Sequence, residues 1–195
     1  MVDFFLNEEW YIRTLDIILD RWGWYFGFGD MVYLPIMYLL QTQYLLAHPV
    51  DLSYPMVAFV ILLQAAGYGI FRMANHQKDQ ARLTQGKLTI WGKKATVIPV
   101  KYQVYGGKER NSLLLCSGFW GLARHFNYNG DILLAASWCF ACGFDHLLPH
   151  YYVIYLTILL IHRIERDHQR CLDKYGHYWE EYCKLVKYKL IPKVY

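Results

Sequence analysis

A chain of 195 residues would ordinarily be one soluble domain, but 55% hydrophobic and 18% aromatic content is too apolar for that class. Its mean hydropathy is only +0.10 because 18 Tyr and 7 Trp score poorly on such scales, although both favour membrane interfaces. The formal net charge of +4 is unevenly spread: residues 1–71 hold 2 Lys/Arg against 7 Asp/Glu, and residues 72–195 hold 18 against 9, a division suited to membrane insertion.

The N-terminus opens MVDFFLNEEWY, with acids where a signal peptide carries bases, so no cleavable signal is expected. Four apolar stretches follow, none with a full run of ~20 clean apolar residues. Met31 to Ala47 can extend back through Trp22 to Phe28, which places Asp30 inside it, and Pro35 predicts a kink. Pro55 to Ile70 reaches spanning length when Tyr54 and Phe71 to Ala74 are added. Ile132 to Gly143 covers only about 18 Å as a helix against a core of about 30 Å, so it extends backward or is re-entrant. Leu147 to Ile164 is the fourth.

Between the second and third stretches the chain turns basic. FRMANHQKDQAR continues the second span into water as a helix, with Lys78 and Arg82 four apart on one face, able to grip one anion together. Gly86 ends it. LTIWGKKATVIPVKYQVYGG then reads as short strands or extended loop, broken at Gly106-Gly107, and its lysines read as a solvated or lipid-headgroup surface.

Gly118 to Asp131, GFWGLARHFNYNGD, interleaves aromatic, basic and amide side chains with glycines directly before the third apolar run. Arg124 and His125 are costly beside hydrocarbon unless they face protein, water or a ligand, and ionisable groups so placed mark function. Gly118, Gly121 and Gly130 let the backbone approach something flat or charged. The plainer reading is an interfacial belt at the headgroups.

The third and fourth stretches form a hairpin, because the basic segments Arg72 to Arg124 and Arg163 to Lys193 both belong on the cytoplasmic side. Its turn, Gly143 to Pro149, contains Gly, Asp and Pro. Five Cys, three of them in or near apolar runs, imply reduced thiols, and Cys139 and Cys142 read as small hydrophobes. The fourth stretch runs on through HRIERDHQRCLDKYG, where Arg163, Asp167, Arg170 and Lys174 recur on one helix face. Gly176 is a natural stop, and an amphipathic piece follows, ending at Pro192.

The pattern predicts an all-α, polytopic membrane helix bundle of about four to five spans with a small basic cytoplasmic lobe, one membrane domain over residues 1–195. A dinucleotide needs cations for phosphates, aromatic surface for rings, and amides or carboxylates for carboxamide and ribose. Lys78, Arg82, Arg163 and Lys174 are candidate phosphate ligands, Trp120, Tyr128, Tyr175 and Tyr182 candidate stacking surfaces, and Asn127 and Asp167 candidate hydrogen-bonding groups. No G-x-G-x-x-G follows a strand, the spacings of His125, His146, His150 and His162 suggest no metal set, and no nucleophile elbow anchors a triad.

GFWGLARHFNYNGD, together with FRMANHQKDQAR, IWGKK, GWYFGFGDMVYLPIMYLLQTQYLLAHPV and the stretch from HLLPHYYVIYL to LIPKVY, resembles the sterol reductase family over essentially the whole chain. Phe126 stands where the delta-14 branch typically has Pro, so the chain looks more like the 7-dehydrocholesterol reductase branch, and it is similar to the C-terminal half only. The resemblance implies a membrane enzyme of about ten spans that uses NADPH to reduce a ring double bond of a sterol substrate. By position it implies NADPH contacts at Lys78, Arg82, Leu115, Trp120, Asn127, Tyr128, Asp167, Cys171, Leu172, Asp173, Lys174, Tyr175 and Tyr182, to which the charged face adds Arg163. Asp167 is the candidate catalytic residue, relaying the proton or orienting the nicotinamide. The implied setting is multi-pass in membrane lipid, in the endoplasmic reticulum of a eukaryote or the inner membrane of a bacterium. Implied partners are a separate polypeptide for the N-terminal half or a second copy of the chain, and no nucleic acid.

Two other classes remain open on the residues. The R-H-x-x-Y motif and C-terminal helix pair are similar to the isoprenylcysteine carboxyl methyltransferases, which bind S-adenosylmethionine. A non-catalytic sterol-binding remnant is the other.

Overall fold

The computed structural model describes residues 5–8, 27–103, 107 and 109–195, so the N-terminal leader reading, the extension through 22–26 and Gly106 lie outside the described residues. The chain divides into two compact units between Pro49 and Val50. In the first, a π-helical turn at Gly29–Tyr33 leads into α1 (Leu34–Met37), and α2 (Leu40–Ala47) starts afresh. Pro35 has no N–H to return to the carbonyl four residues back, and its ring crowds that turn. The turn before it is accordingly π-helical, and the chain breaks once more at residues 38–39, so the Met31 to Ala47 stretch consists of short pieces.

The second unit is built on α3 (Tyr54–Leu83), about 45 Å long at 1.5 Å per residue. Pro55 sits in its first turn, where a missing N–H costs nothing. At the other end Gly86, at φ +81°, returns its N–H to the Ala81 carbonyl at 2.8 Å. Among the described residues α3 is the one helix long and apolar enough to cross a membrane. The third and fourth stretches do not reach that length alone. α5 (Asn127–Phe140) has only 14 residues, and α6 (Tyr151–Tyr175) has 25 but turns charged from His162 onward.

α5 runs antiparallel to α3. Phe71 and Gly67 meet Gly130, Gln64 accepts a hydrogen bond from the Ser137 hydroxyl, and Phe59 stacks on Phe140 at 6.3 Å. A Cβ on Gly130 would stand 2.7 Å from the Phe71 nitrogen, and one on Gly67 would stand 2.9 Å from the Gly130 oxygen, so both glycines are needed for backbones this close. Gly143, at φ +71°, turns the chain after α5, and the His150 ring closes the turn on the Gly143 carbonyl at 2.9 Å. α6 then packs back on α5, with Trp138 stacked on Tyr152 at 6.0 Å.

Two antiparallel hairpins correct the all-α expectation: β1 (Thr89–Ile90) with β2 (Lys93–Lys94), and β3 (Val97–Gln103) with β4 (Glu109–Leu115). The first three strands fall where short strands or loop were expected; β4 lies beyond that stretch. Alternation along β3 buries Ile98 and Val100 against Trp179, Tyr182 and Val186, on or just after α7 (His177–Leu185). A second cluster joins Ala81 of α3 to Ile90, Ala95, Leu115 and Trp120, which seats the lobe on the polar end of α3. Gly176, at φ +53°, ends α6 and starts α7.

Candidate functional site

The site begins with α4 (Phe119–Leu122), a single turn after Gly118. The Phe119 N–H donates to Gln77 Oε1 at 3.0 Å, the Trp120 indole donates to the Ala74 carbonyl at 2.7 Å, and the Tyr182 hydroxyl donates to the Trp120 carbonyl at 3.3 Å. These bonds pin the indole between α3 and α7. Lys78 Nζ lies over its face, 4.3 Å from the ring centroid. Lys78 belongs to the polar extension of α3 beyond the apolar run. Burial, and after it the nearby Arg82, lowers its pKa from 10.5 to about 8, while Asp167 and Cys171 of α6 oppose the shift.

Asp167 is the acidic centre of this group. Its Oδ2 accepts a long hydrogen bond from the Cys171 thiol at 3.9 Å and lies 3.7 Å from His125 Nε2. His125 is not a cation in that contact. Burial first, then the charges of Lys78, Arg124 and Arg163, press its pKa from 6.5 down to about 3, and the neutral ring stacks on Tyr128 at 5.2 Å. Burial, followed by Asp167, pushes the Cys171 thiol up to about 12, so that sulfur stays protonated.

Backbone pairing with the tail after α7 holds the Arg124-His125 dipeptide in place. The Arg124 N–H bonds the Tyr188 carbonyl at 3.0 Å, and the His125 N–H bonds the Lys189 carbonyl at 2.9 Å. The Arg124 guanidinium is buried and donates to Cys183 Sγ at 2.6 Å and to the Lys187 carbonyl at 3.3 Å, while its Nε finds no protein partner. Asn127, at the start of α5, has a buried Oδ1 that also lacks a partner. A buried acceptor without a donor is unfavourable unless a bound group supplies one.

The structure therefore brings Lys78, Trp120, Tyr182, Asp167 and Cys171 together, with Tyr128 joined through His125. Leu115 is buried beside Trp120, and Leu172 packs with Tyr175 under α7. Arg163 and Arg82 act on the group electrostatically, on His125 and Lys78 respectively. Lys174 belongs to a neighbouring cluster, with Nζ 4.2 Å from the Tyr102 ring and 4.9 Å from Tyr175. Asp173 does not converge: it is exposed, and at 100° per residue it lies about 120° around α6 from Asp167.

The sequence marks Arg124 and His125 as ionisable groups beside an apolar run but assigns His125 no partner, and it does not single out Tyr102. His125 was marked by its place beside Arg124 in a glycine-flanked motif. Tyr102 was marked by its alternation with the buried Val100 along β3.

A family model described as the ergosterol biosynthesis ERG4/ERG24 family matches residues 1–195. The chain is 52% identical over 195 residues to a 7-dehydrocholesterol reductase of Danio rerio, covering all of this chain and 41% of that protein. It is 48% identical over 196 residues to a probable 7-dehydrocholesterol reductase of Acanthamoeba polyphaga mimivirus, covering all of this chain and 42% of that relative. A Delta(14)-sterol reductase of Methylotuvimicrobium alcaliphilum is 43% identical over 195 residues, again all of this chain and 44% of the relative. The chain thus spans about two fifths of the length of the curated relatives it matches.

Proposed function

The chain belongs to the ergosterol biosynthesis ERG4/ERG24 family, and from that membership we propose that it is the cofactor-holding part of an enzyme that reduces a ring double bond of a sterol with NADPH. The observation that carries the reading is the desolvated Lys78 on the face of Trp120 with Asp167 near it, and the buried Asn127 Oδ1, without a partner at the start of α5, adds an acceptor. The residues fit a phosphorylated dinucleotide. Lys78 and Arg82 would hold phosphate, Trp120 and Tyr128 would face the rings, and Asn127 Oδ1 would accept from an amide or hydroxyl. Lys174, Tyr175 and Tyr182 complete the proposed contacts, with Leu115, Cys171 and Leu172 as apolar walls and Arg163 behind Asp167. Asp173 is carried by position alone.

When bound, NADPH would supply a hydride equivalent, which a ring alkene or diene without a carbonyl to activate it accepts only once protonation has made it cationic. Asp167 carries the local acidic function, holding or orienting at Oδ2. His125, kept neutral, adds a dipole rather than a second positive charge beside it. Lys78 and Arg82 anchor the far end of the bound group, so binding energy there fixes the reacting end. Ala74, Trp120 and Tyr182 exclude water from its wall. On this reading the chain is part of an integral, multi-pass membrane domain, a reading supported by the apolar run of α3, and the rest of the sterol pocket would come from a further polypeptide segment or a second copy.

The test is a titration of purified, membrane-inserted chain with NADPH, NADH and S-adenosylmethionine, read by quenching of tryptophan emission. NADPH is expected to bind most tightly. Preference for S-adenosylmethionine would overturn the reading in favour of a methyltransferase. Turnover is followed as loss of 5,7-diene absorbance once a complementary N-terminal polypeptide is supplied.

A further inference from the structure

Ile90 seats the base of the β1–β2 hairpin on α3, but the tip of the hairpin takes no part in the proposed cofactor contacts. Its two turn residues, Trp91 at φ +50° and Gly92 at φ +78°, both lie in the left-handed region, as a type I′ turn requires. Glycine or asparagine takes the first of these positions cheaply. A bulky side chain there is a true outlier, and such strain concentrates where a residue is kept for what it contacts. Trp91 is nevertheless 61% exposed.

An aromatic file fixes the height of this tip. The edge of Trp91 meets Phe119 at 5.0 Å, Phe119 stacks on Phe126 at 5.3 Å, and Phe126 immediately precedes α5. Gly130, one turn into α5, is level with Phe71, where the apolar run of α3 ends. The file therefore starts about one helical turn beyond the level of Phe71, close to that of Ala74, where α3 reaches spanning length. A cleft of about 340 Å³ opens between the hairpin (Leu88, Thr89, Trp91) and the α3 face at His76, Gln77 and Gln80. Those helix positions lie roughly 7–14 Å beyond Phe71, which overlaps the headgroup layer of a bilayer. The segment from Thr84 to Val97 contains Lys87, Lys93 and Lys94, all exposed, and no acid.

We propose that this hairpin is a binding site for an anionic phospholipid of the leaflet that α3 leaves: Trp91 enters the headgroup layer, the amide-lined cleft receives the headgroup, and the three lysines supply the complementary charge. Aromatic rings with one wet edge and clustered lysines are what such a surface selects. A cleft of this size and polarity suits a headgroup rather than a protein segment. The inference rests on α3 crossing a bilayer and not on the reductase reading.

The experiment uses the whole chain in nanodiscs of phosphatidylcholine with or without phosphatidylserine, each lipid in plain and brominated form. The Trp91→Phe variant, which keeps the aromatic contact to Phe119, isolates Trp91 emission by difference. Expected is roughly twofold stronger quenching of Trp91 by brominated phosphatidylserine than by brominated phosphatidylcholine, with the preference abolished in Lys93→Glu/Lys94→Glu. Trp91 emission quenched by aqueous iodide and indifferent to either brominated lipid would overturn the proposal. So would shielding seen only in discs that hold two copies, which would assign the surface to a second chain. Failure of α3 to span shows separately, as protein that does not co-elute with the discs.

Discussion

Lys78 carries the main electrostatic consequence of the site. In the folded protein it gives up its proton near pH 8 rather than 10.5, so between those values the unfolded chain binds more protons and stability rises with pH. Anion binding runs the other way, because only the protonated ammonium attracts phosphate. NADPH affinity is expected to fall above pH 8 by up to about tenfold per unit, whereas Lys78→Met should bind weakly with a flatter profile, as isothermal titration would show. On the proposed function Asp167 would act nearer the reaction: Asp167→Asn should lower turnover by about 10²–10⁴-fold while leaving the protein inserted and able to bind NADPH. Normal turnover in that variant would remove Asp167 from the mechanism. The proximity of Lys78 and Arg82 and the aromatic cluster around Trp120 could be read directly, because charge spacing on a helix and glycine-flanked aromatics leave a local signature. Leu115 and Cys171 came only through resemblance, since an apolar wall residue looks the same whether it lines a core or a cofactor. The neutrality of His125 was not legible, because it depends on burial and on Lys78 and Arg163, which only the fold brings near it.

The crossing of α3 and α5 depends on Gly67 and Gly130, and the two glycines permit no side chain. Gly130→Val should destabilise the protein by about 1–3 kcal/mol, measured as a lowered Tm in detergent, because the new atoms meet the Phe71 backbone. Gly69→Ala is the control: its added Cβ meets only the Met73 methyl at 3.7 Å, so its Tm should be unchanged or slightly raised. Both helices were visible as apolar runs and the reversal at Gly143–Pro149 as a turn, since periodicity and turn residues act over short distances. The close approach was not visible, because nothing local distinguishes Gly67, which must be bare, from Gly69, which need not be. β4 was missed for a related reason: Glu109–Leu115 has no polar-apolar alternation and becomes a strand by pairing, residue for residue, with β3.

Taken whole, the described chain places its cations on one side. The lobe, the polar end of α3 and the end of α6 all carry bases, and the apolar runs of α3, α5 and α6 converge opposite. Cysteine-scanning labels placed at Lys94 and Lys184 should therefore react from the cytoplasmic side and a label at Asp145 from the other. Labelling of all three from one side would refute the arrangement. The tail's hold on Arg124 and His125 has a consequence for biosynthesis. Residues 188 and 189 leave the ribosome more than sixty positions after the dipeptide they fasten, so a nascent chain can have α3, α5 and α6 complete while Arg124 and His125 still lack their backbone partners. The loop that carries this dipeptide is thus fastened last, after every helix of the described chain has been made.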